Sequence, residues 1–263
     1  MIIVSSRQDF TNSDNLLSEG HIIREVDLSN DNAKRTLSMG DLVAEINGKR
    51  ICILVHGYNN EFFEVCDAYQ IMESKIHADL PGIYDEVIGY TWPGGDHKLE
   101  WWDAKSRANA VARRFRQLLE SLSEKSNLDI ISHSLGARVS LKALKEASKK
   151  LVQNYYCMAG AIDNESLELG EEFYPALLST ERVFIMHSAR DEVLATAYRA
   201  AEFDNALGLF GPEDKSSVDK SHNIFVANCK AVVTSHGAYK RSDAVFSYIG
   251  GTHTVLPDKF VTL

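Results

Sequence analysis

Short apolar runs alternate along the chain with longer stretches whose apolar residues recur every three or four positions. The runs at residues 1–5, 25–28 and 41–46 are expected to be strands. Arg50–Val55 is almost uninterrupted in its apolar character, the pattern of a strand buried on both faces. Phe62, Val65, Tyr69, Met72 and Ile76 then mark one stripe of an amphipathic helix. Glu86–Thr91 predicts another strand, and Ala104, Ala108, Val111, Phe115, Leu118 and Leu122 a long helix. Residues 128–132 form the next expected strand. Val139, Ala143, Ala147 and Leu151 step by four along the helix after it. Runs at 155–162, 183–187 and 224–233 complete the pattern, the last of them read as the final strand. There is no internal repeat and no Pro- or Ser-rich linker.

Strand followed by helix, repeated through the middle of the chain, predicts an α/β fold with a mostly parallel central sheet and helices on both faces. All 263 residues are expected to form one such domain. Right-handed crossovers bring the C-terminal ends of the strands to one edge. Ligands of open α/β sheets bind along that edge. Chemistry is therefore sought just after each strand.

Ile131-Ser132-His133-Ser134-Leu135-Gly136 follows a strand and opens a helix. That is the setting of a nucleophile elbow, in which a serine on a tight turn presents its hydroxyl. Small residues two before and two after the serine let the two backbones pack closely. Gly136 meets this fully, and Ser132 stands where glycine is commoner. The helix N-terminus adds free N–H groups and a positive dipole end. An acyl-transfer serine also needs two N–H donors for the oxyanion. Leu135, next after Ser134, offers one. Tyr58, in the His56-Gly57-Tyr58-Asn59-Asn60 turn after Arg50–Val55, is the candidate for the other. His56 is expected to hold that loop, and Asn59 and Asn60 to cap the next helix.

The motifs His56-Gly57-Tyr58-Asn59-Asn60, Tyr90-Thr91-Trp92-Pro93, Ser132-His133-Ser134-Leu135-Gly136 and Ser188-Ala189-Arg190-Asp191 occur in that order. The sequence resembles the bacterial α/β-hydrolases of the DUF900 family, related to esterases and lipases, over roughly residues 50 to 245. The resemblance implies an α/β-hydrolase fold and a Ser-Asp-His triad, and says little about substrate. The acid in such folds precedes the histidine in the chain. Asp191, just past the strand at 183–187, matches the family's position. It could equally cap the helix expected at 192–201. Asp163, after the strand at 155–162, is the alternative acid. Among the late histidines His236 resembles the family's base, while His222 and His253 read as loop and tail residues. His133 is expected to pack and turn away from the reacting groups. It is kept with His56, Asn59, Trp92 and Phe210 as a possible pocket residue. Trp92 could instead pack under the helix at 103–122, and Phe210 could belong to a simple turn. The implied chemistry is two-step acyl transfer, with Ser134 as nucleophile, His236 as base and Asp191 orienting it. Only about twenty residues separate Asp163 from Val183, too few for a large cap, so an open site for a small ester is expected.

Composition narrows the classes further. The chain is 44% hydrophobic and 25% charged, values of an ordinary globular protein. Its net charge of −9 argues against nucleic acid and against an anionic membrane surface, leaving neutral or cationic substrates. No apolar run approaches the length of a membrane span, and the first residues lack the pattern of a secretory leader. Cys52, Cys66, Cys157 and Cys229 have no CxxC spacing, which fits reduced thiols and a cytoplasmic location. The nine histidines show no HExxH or paired-ligand spacing, and no glycine-rich phosphate loop follows a strand, so neither metal nor cofactor is expected.

Overall fold

A computed structural model describes residues 1–97 and 100–263. Ten strands form one sheet: β1 (Ile2–Ser5), β2 (Ile22–Asp27), β3 (Asn32–Leu37), β4 (Arg50–Val55), β5 (Glu86–Thr91), β6 (Asn127–His133), β7 (Val152–Met158), β8 (Thr180–His187), β9 (Ile224–Asn228) and β10 (Phe260–Thr262). Their spatial order is β10-β9-β8-β7-β6-β4-β5-β1-β2-β3. From β1 to β10 every neighbouring pair is parallel. Only β2 runs the other way, pairing antiparallel with β1 and with the edge strand β3. The central strands owe their place to composition: β4 buries every residue after Arg50, and β6 every residue between Asn127 and His133.

Helix α1 (Met39–Ile46) precedes β4, and α2 (Phe62–Asp79), α3 (Trp101–Ser123) and α4 (Gly136–Lys145) connect β4 to β7 in turn. The connection from β4 to β5 moves one way along the sheet, and those from β5 to β6 and β6 to β7 move the other way. Right-handed crossovers then put α2 on one face and α3 with α4 on the other. Accordingly α3 packs on α4, and α2 packs on α8 (Asp243–Thr252). The direction of winding reverses between β4 and β6, so a crevice opens beyond their C-terminal ends. Val55 pairs with Ser132 across it. The turns after β4 and β6 therefore meet there. Between β8 and β9 the chain makes a π-helical turn (Leu194–Tyr198) and three short helices, α5 (Arg199–Glu202), α6 (Leu207–Phe210) and α7 (Lys215–Lys220).

Several boundaries differ from those expected. Residues 41–46 are helical in α1, because Ser38 and Asp41 form a capping box and Leu42 and Ile46 bury one stripe. The β-branched Val43 and Ile46 make that stripe look like a strand. β2 begins at Ile22, and the polar edge strand β3 has no apolar alternation to reveal it. β7 stops at Met158, where Ala159 takes a positive φ of 50°. α4 ends at Lys145, short of Ala147 and Leu151. β9 ends at Asn228, and β10, not β9, is the last strand in the chain. All four cysteines are buried and unpaired. Among the described residues, no helix is long and apolar enough to cross a membrane.

Candidate active site

Ser134 sits between β6 and α4 with φ 55°, a left-handed conformation that a serine adopts only under constraint. The constraint is visible on both sides. Its N–H donates to the Met158 carbonyl at 3.0 Å, and its carbonyl accepts from Ala137 at 3.0 Å and Ala161 at 3.2 Å. Close packing requires glycine at two neighbours. A Cβ on Gly57 would lie 2.9 Å from the Ser134 Cβ, and one on Gly136 would lie 2.5 Å from the His56 carbonyl oxygen. Among the described residues the Ser134 hydroxyl makes no hydrogen bond, and it borders a cavity of about 550 Å³.

His236 borders the same cavity. Its Nδ1 donates to Asp191 Oδ2 at 2.7 Å, which leaves Nε2 as the acceptor nitrogen. Asp191 is fully buried and uses both oxygens: Oδ1 accepts from the Leu194 N–H at 3.0 Å. The capping role and the histidine contact, alternatives in the sequence, coexist in one carboxylate. Ser188 ties this turn to the approach of His236, its hydroxyl donating to the Val233 carbonyl at 2.7 Å. Asp163 is elsewhere, accepting from the Tyr198 hydroxyl at 2.5 Å. His253 lies in a separate network with Tyr84 and Tyr156. His222 borders a second depression near the start of β9.

The turn after β4 forms the opposite lip. Asn59 has φ 56° and donates its N–H to the Gly94 carbonyl, and Asn60 donates to that of Gly95. The N–H groups of Tyr58 and Leu135 have no partner among the described residues. Tyr58 and Asn59 border the cavity, whereas the Leu135 side chain is buried behind it. His56 is buried and fixed. Nδ1 donates to the Gly57 carbonyl at 2.6 Å, and Nε2 accepts from the Trp92 N–H at 3.2 Å. Burial and the nearby Arg7 hold this imidazole well below the ordinary histidine range, so it stays neutral.

His133 does not turn away. It borders the cavity, its ring centroid is 4.6 Å from that of His236, and its Nε2 donates to the His236 backbone carbonyl at 2.8 Å. Burial, then the neighbouring His236, push its pKa down to about 3. Two expected wall residues are not walls. Trp92 is wholly buried, stacked on the His56 ring at a centroid distance of 5.5 Å. Phe210 is 51% exposed at the end of α6 and outside the cavity. The walls come instead from Ala68, Tyr69 and Met72 of α2, from Met158, and from Glu192, Val193, Thr196 and Ala197 beside the π-helical turn.

Arg7, two residues past β1, carries no obvious signal in the sequence. Its fully buried guanidinium donates to the carbonyls of Trp92 at 3.0 Å, Asn60 at 2.9 Å and Thr11 at 3.2 Å. It thus pins the turn after β4 to the segment after β5. Desolvation lowers its pKa to about 10, so it remains a cation. The carboxylates of Asp14, Asp96 and Glu100 converge away from the cavity, and Arg107 lies 3.2 Å from Glu100 as their counter-charge.

Residues 31–235 match the alpha/beta hydrolase family of unknown function, DUF900. The chain belongs to this family. The DUF900 span contains the β4 turn, Ser134 and Asp191, and ends one residue before His236. Esterase PE8 is 13% identical, with 77% of this chain and 92% of that one covered at a TM-score of 0.48. A Listeria innocua gene product is 11% identical over 82% and 99% at 0.47. An esterase of Pyrococcus furiosus is 12% identical over 78% and 82% at 0.40. The sequence has no match among curated proteins.

Proposed function

We propose that this α/β hydrolase is a serine esterase that cleaves small carboxylic esters through an acyl-enzyme on Ser134. One observation carries the reading. Ser134, held at φ 55° with a free hydroxyl, shares a cavity with His236, whose Nδ1 is bonded to the buried Asp191. His236 Nε2 takes the proton of Ser134 as the hydroxyl attacks the ester carbonyl. Asp191 fixes the tautomer and stabilises the imidazolium. The unpartnered N–H groups of Tyr58 and Leu135 receive the oxyanion, a term worth about 3–4 kcal/mol per donor in such enzymes. His236 returns the proton to the leaving alcohol and then activates water against the acyl-enzyme. His133, neutral because of its depressed pKa, contributes by anchoring the His236 backbone.

The test uses p-nitrophenyl esters of graded chain length, with matched thioesters and anilides, on the wild type, Ser134→Ala and His236→Ala. Turnover of the oxygen esters by the wild type alone supports the reading. Preference for the thioesters or anilides moves the assignment to a thioesterase or amidase. Full activity in Ser134→Ala overturns the nucleophile. Absence of both turnover and fluorophosphonate labelling at Ser134 overturns the enzyme.

A further inference from the structure

The cavity has one cation whose place the proposed chemistry does not explain. Lys240 lies four residues after His236, on the 3₁₀ turn Ala238–Arg241, and borders the cavity with half its side chain buried. Among the described residues no carboxylate comes within ion-pair distance of its ammonium, and no carbonyl accepts from it. Lysines that lie against other parts of the fold are held by partners: Lys105 lies 2.6 Å from Glu202, and Lys259 donates to two carbonyls. An unpaired ammonium beside a cavity is free to give a charge-assisted hydrogen bond to an anion that enters it.

Its charge is felt inside the cavity. Lys240 is among the charges that depress the His133 imidazole, the neighbour of Ser134. Burial and Arg241 lower the Lys240 pKa more than Asp67 and Glu64 of α2 raise it. The acids on α2 act on it only at a distance, by their charge. Glu192, the carboxylate on the cavity's other wall, is exposed to solvent, where salt screens its charge.

Resting on the esterase reading, we infer that Lys240 binds a carboxylate on the substrate, so that the preferred esters are monoanions. A charge-assisted hydrogen bond from the ammonium would hold the anionic end while Ser134 attacks the ester carbonyl. The net charge of −9 does not oppose this, because at physiological salt charges more than about 8 Å apart are largely screened.

The test compares wild type with Lys240→Met, Lys240→Gln and Lys240→Arg. Calorimetry with glutarate, for a carboxylate on the acyl side, and 4-hydroxybenzoate, for one on the alcohol side, measures binding without turnover. At least one is expected to bind the wild type, to bind the Met and Gln variants about tenfold or more weakly, and to be retained by Arg. The ligand that responds identifies the side. The kcat/KM ratio of mono-4-nitrophenyl glutarate or 4-butanoyloxybenzoate to its neutral counterpart is expected to fall in parallel. Failure of both carboxylates to bind the wild type overturns the inference, as does equal binding by the folded Met or Gln variant. If no ester is hydrolysed yet carboxylate binding still depends on Lys240, the esterase reading falls and the anion site stands.

Discussion

Replacing Gly136 with alanine tests whether close packing of the elbow on β4 fixes the site. A Cβ there would lie 2.5 Å from the His56 carbonyl oxygen and 2.7 Å from that of Val55. Carbon–oxygen contacts ordinarily begin at about 3.3 Å, so the two backbones must part by most of an ångström. β4 cannot give easily, since it is hydrogen-bonded on both sides, with Val55 paired to Ser132 and to Tyr90. The displacement therefore falls on the turn at 134–136 and on 56–57. Overpacking of this kind costs about 1–3 kcal/mol, and the better helix propensity of alanine returns less than about 1 kcal/mol. A net loss of about 1–2 kcal/mol lowers Tm by about 2–8 °C for a chain of this size. Moving Leu135 N–H away from Tyr58 N–H by that distance should slow fluorophosphonate labelling on the order of 100-fold. Gly251→Ala is the control. It lies in α8 with no atom within 4 Å of the added Cβ. It should stabilise by about 0.5–1 kcal/mol and leave labelling alone. Urea melts and labelling rates on both variants suffice. A Gly136→Ala protein as stable as wild type and labelled at the same rate would refute the reasoning.

Asp191→Asn can keep the cap on Leu194 but not the tautomer of His236, so kcat should fall on the order of 10⁴-fold with little change in the urea midpoint. A loss below tenfold would remove Asp191 from the mechanism. His133 titrates near 3 when folded and near 6.5 when unfolded, so the unfolded chain binds the extra proton between those values. Stability should therefore decline as pH falls below 6.5, by up to about 2 kcal/mol near pH 5, and His133→Gln should flatten that part of the profile. An unchanged profile would mean that the imidazole is solvated. Arg7→Met leaves the carbonyls of Trp92, Asn60 and Thr11 without their donor, and should destabilise by about 3 kcal/mol in urea unfolding. A loss under 1 kcal/mol would show that water replaces the guanidinium.

The parts of the fold that the sequence foretold best are those buried on both faces. Arg50–Val55 and Glu86–Thr91 match β4 and β5 end to end, because a central parallel strand leaves no polar face to blur its limits. Edges were harder. The exposed strand β3 is held by pairing with β2 and by Arg35, which lies 2.6 Å from Glu25, and neither is a pattern of apolar residues. That Ser134, His236 and Asp191 come together was legible because turns after strand ends meet along one edge of this architecture. The walls were not, since they depend on how remote turns fold back over the edge. Trp92 became core, Phe210 faced outward, and Thr196, Ala197 and Lys240 took the places expected of aromatic residues. Arg7 was hidden for another reason. A cation with no carboxylate partner is rarely placed inside, so its composition pointed outward.

The wall at 192–197 starts at the residue after Asp191, and the first turn of that wall hangs from the same carboxylate that holds His236. On the proposed mechanism, substrate choice and reactivity are thus wired in series on this side of the cleft. Grafting a different segment here to admit a new substrate is then expected to retune the base as well. Ala68 and Met72 on α2 carry no such linkage. For anyone reshaping this cavity, Ala68 and Met72 are the safer positions, since Tyr69 between them holds the β4 turn through its hydroxyl, and the segment after β8 is the one to leave alone.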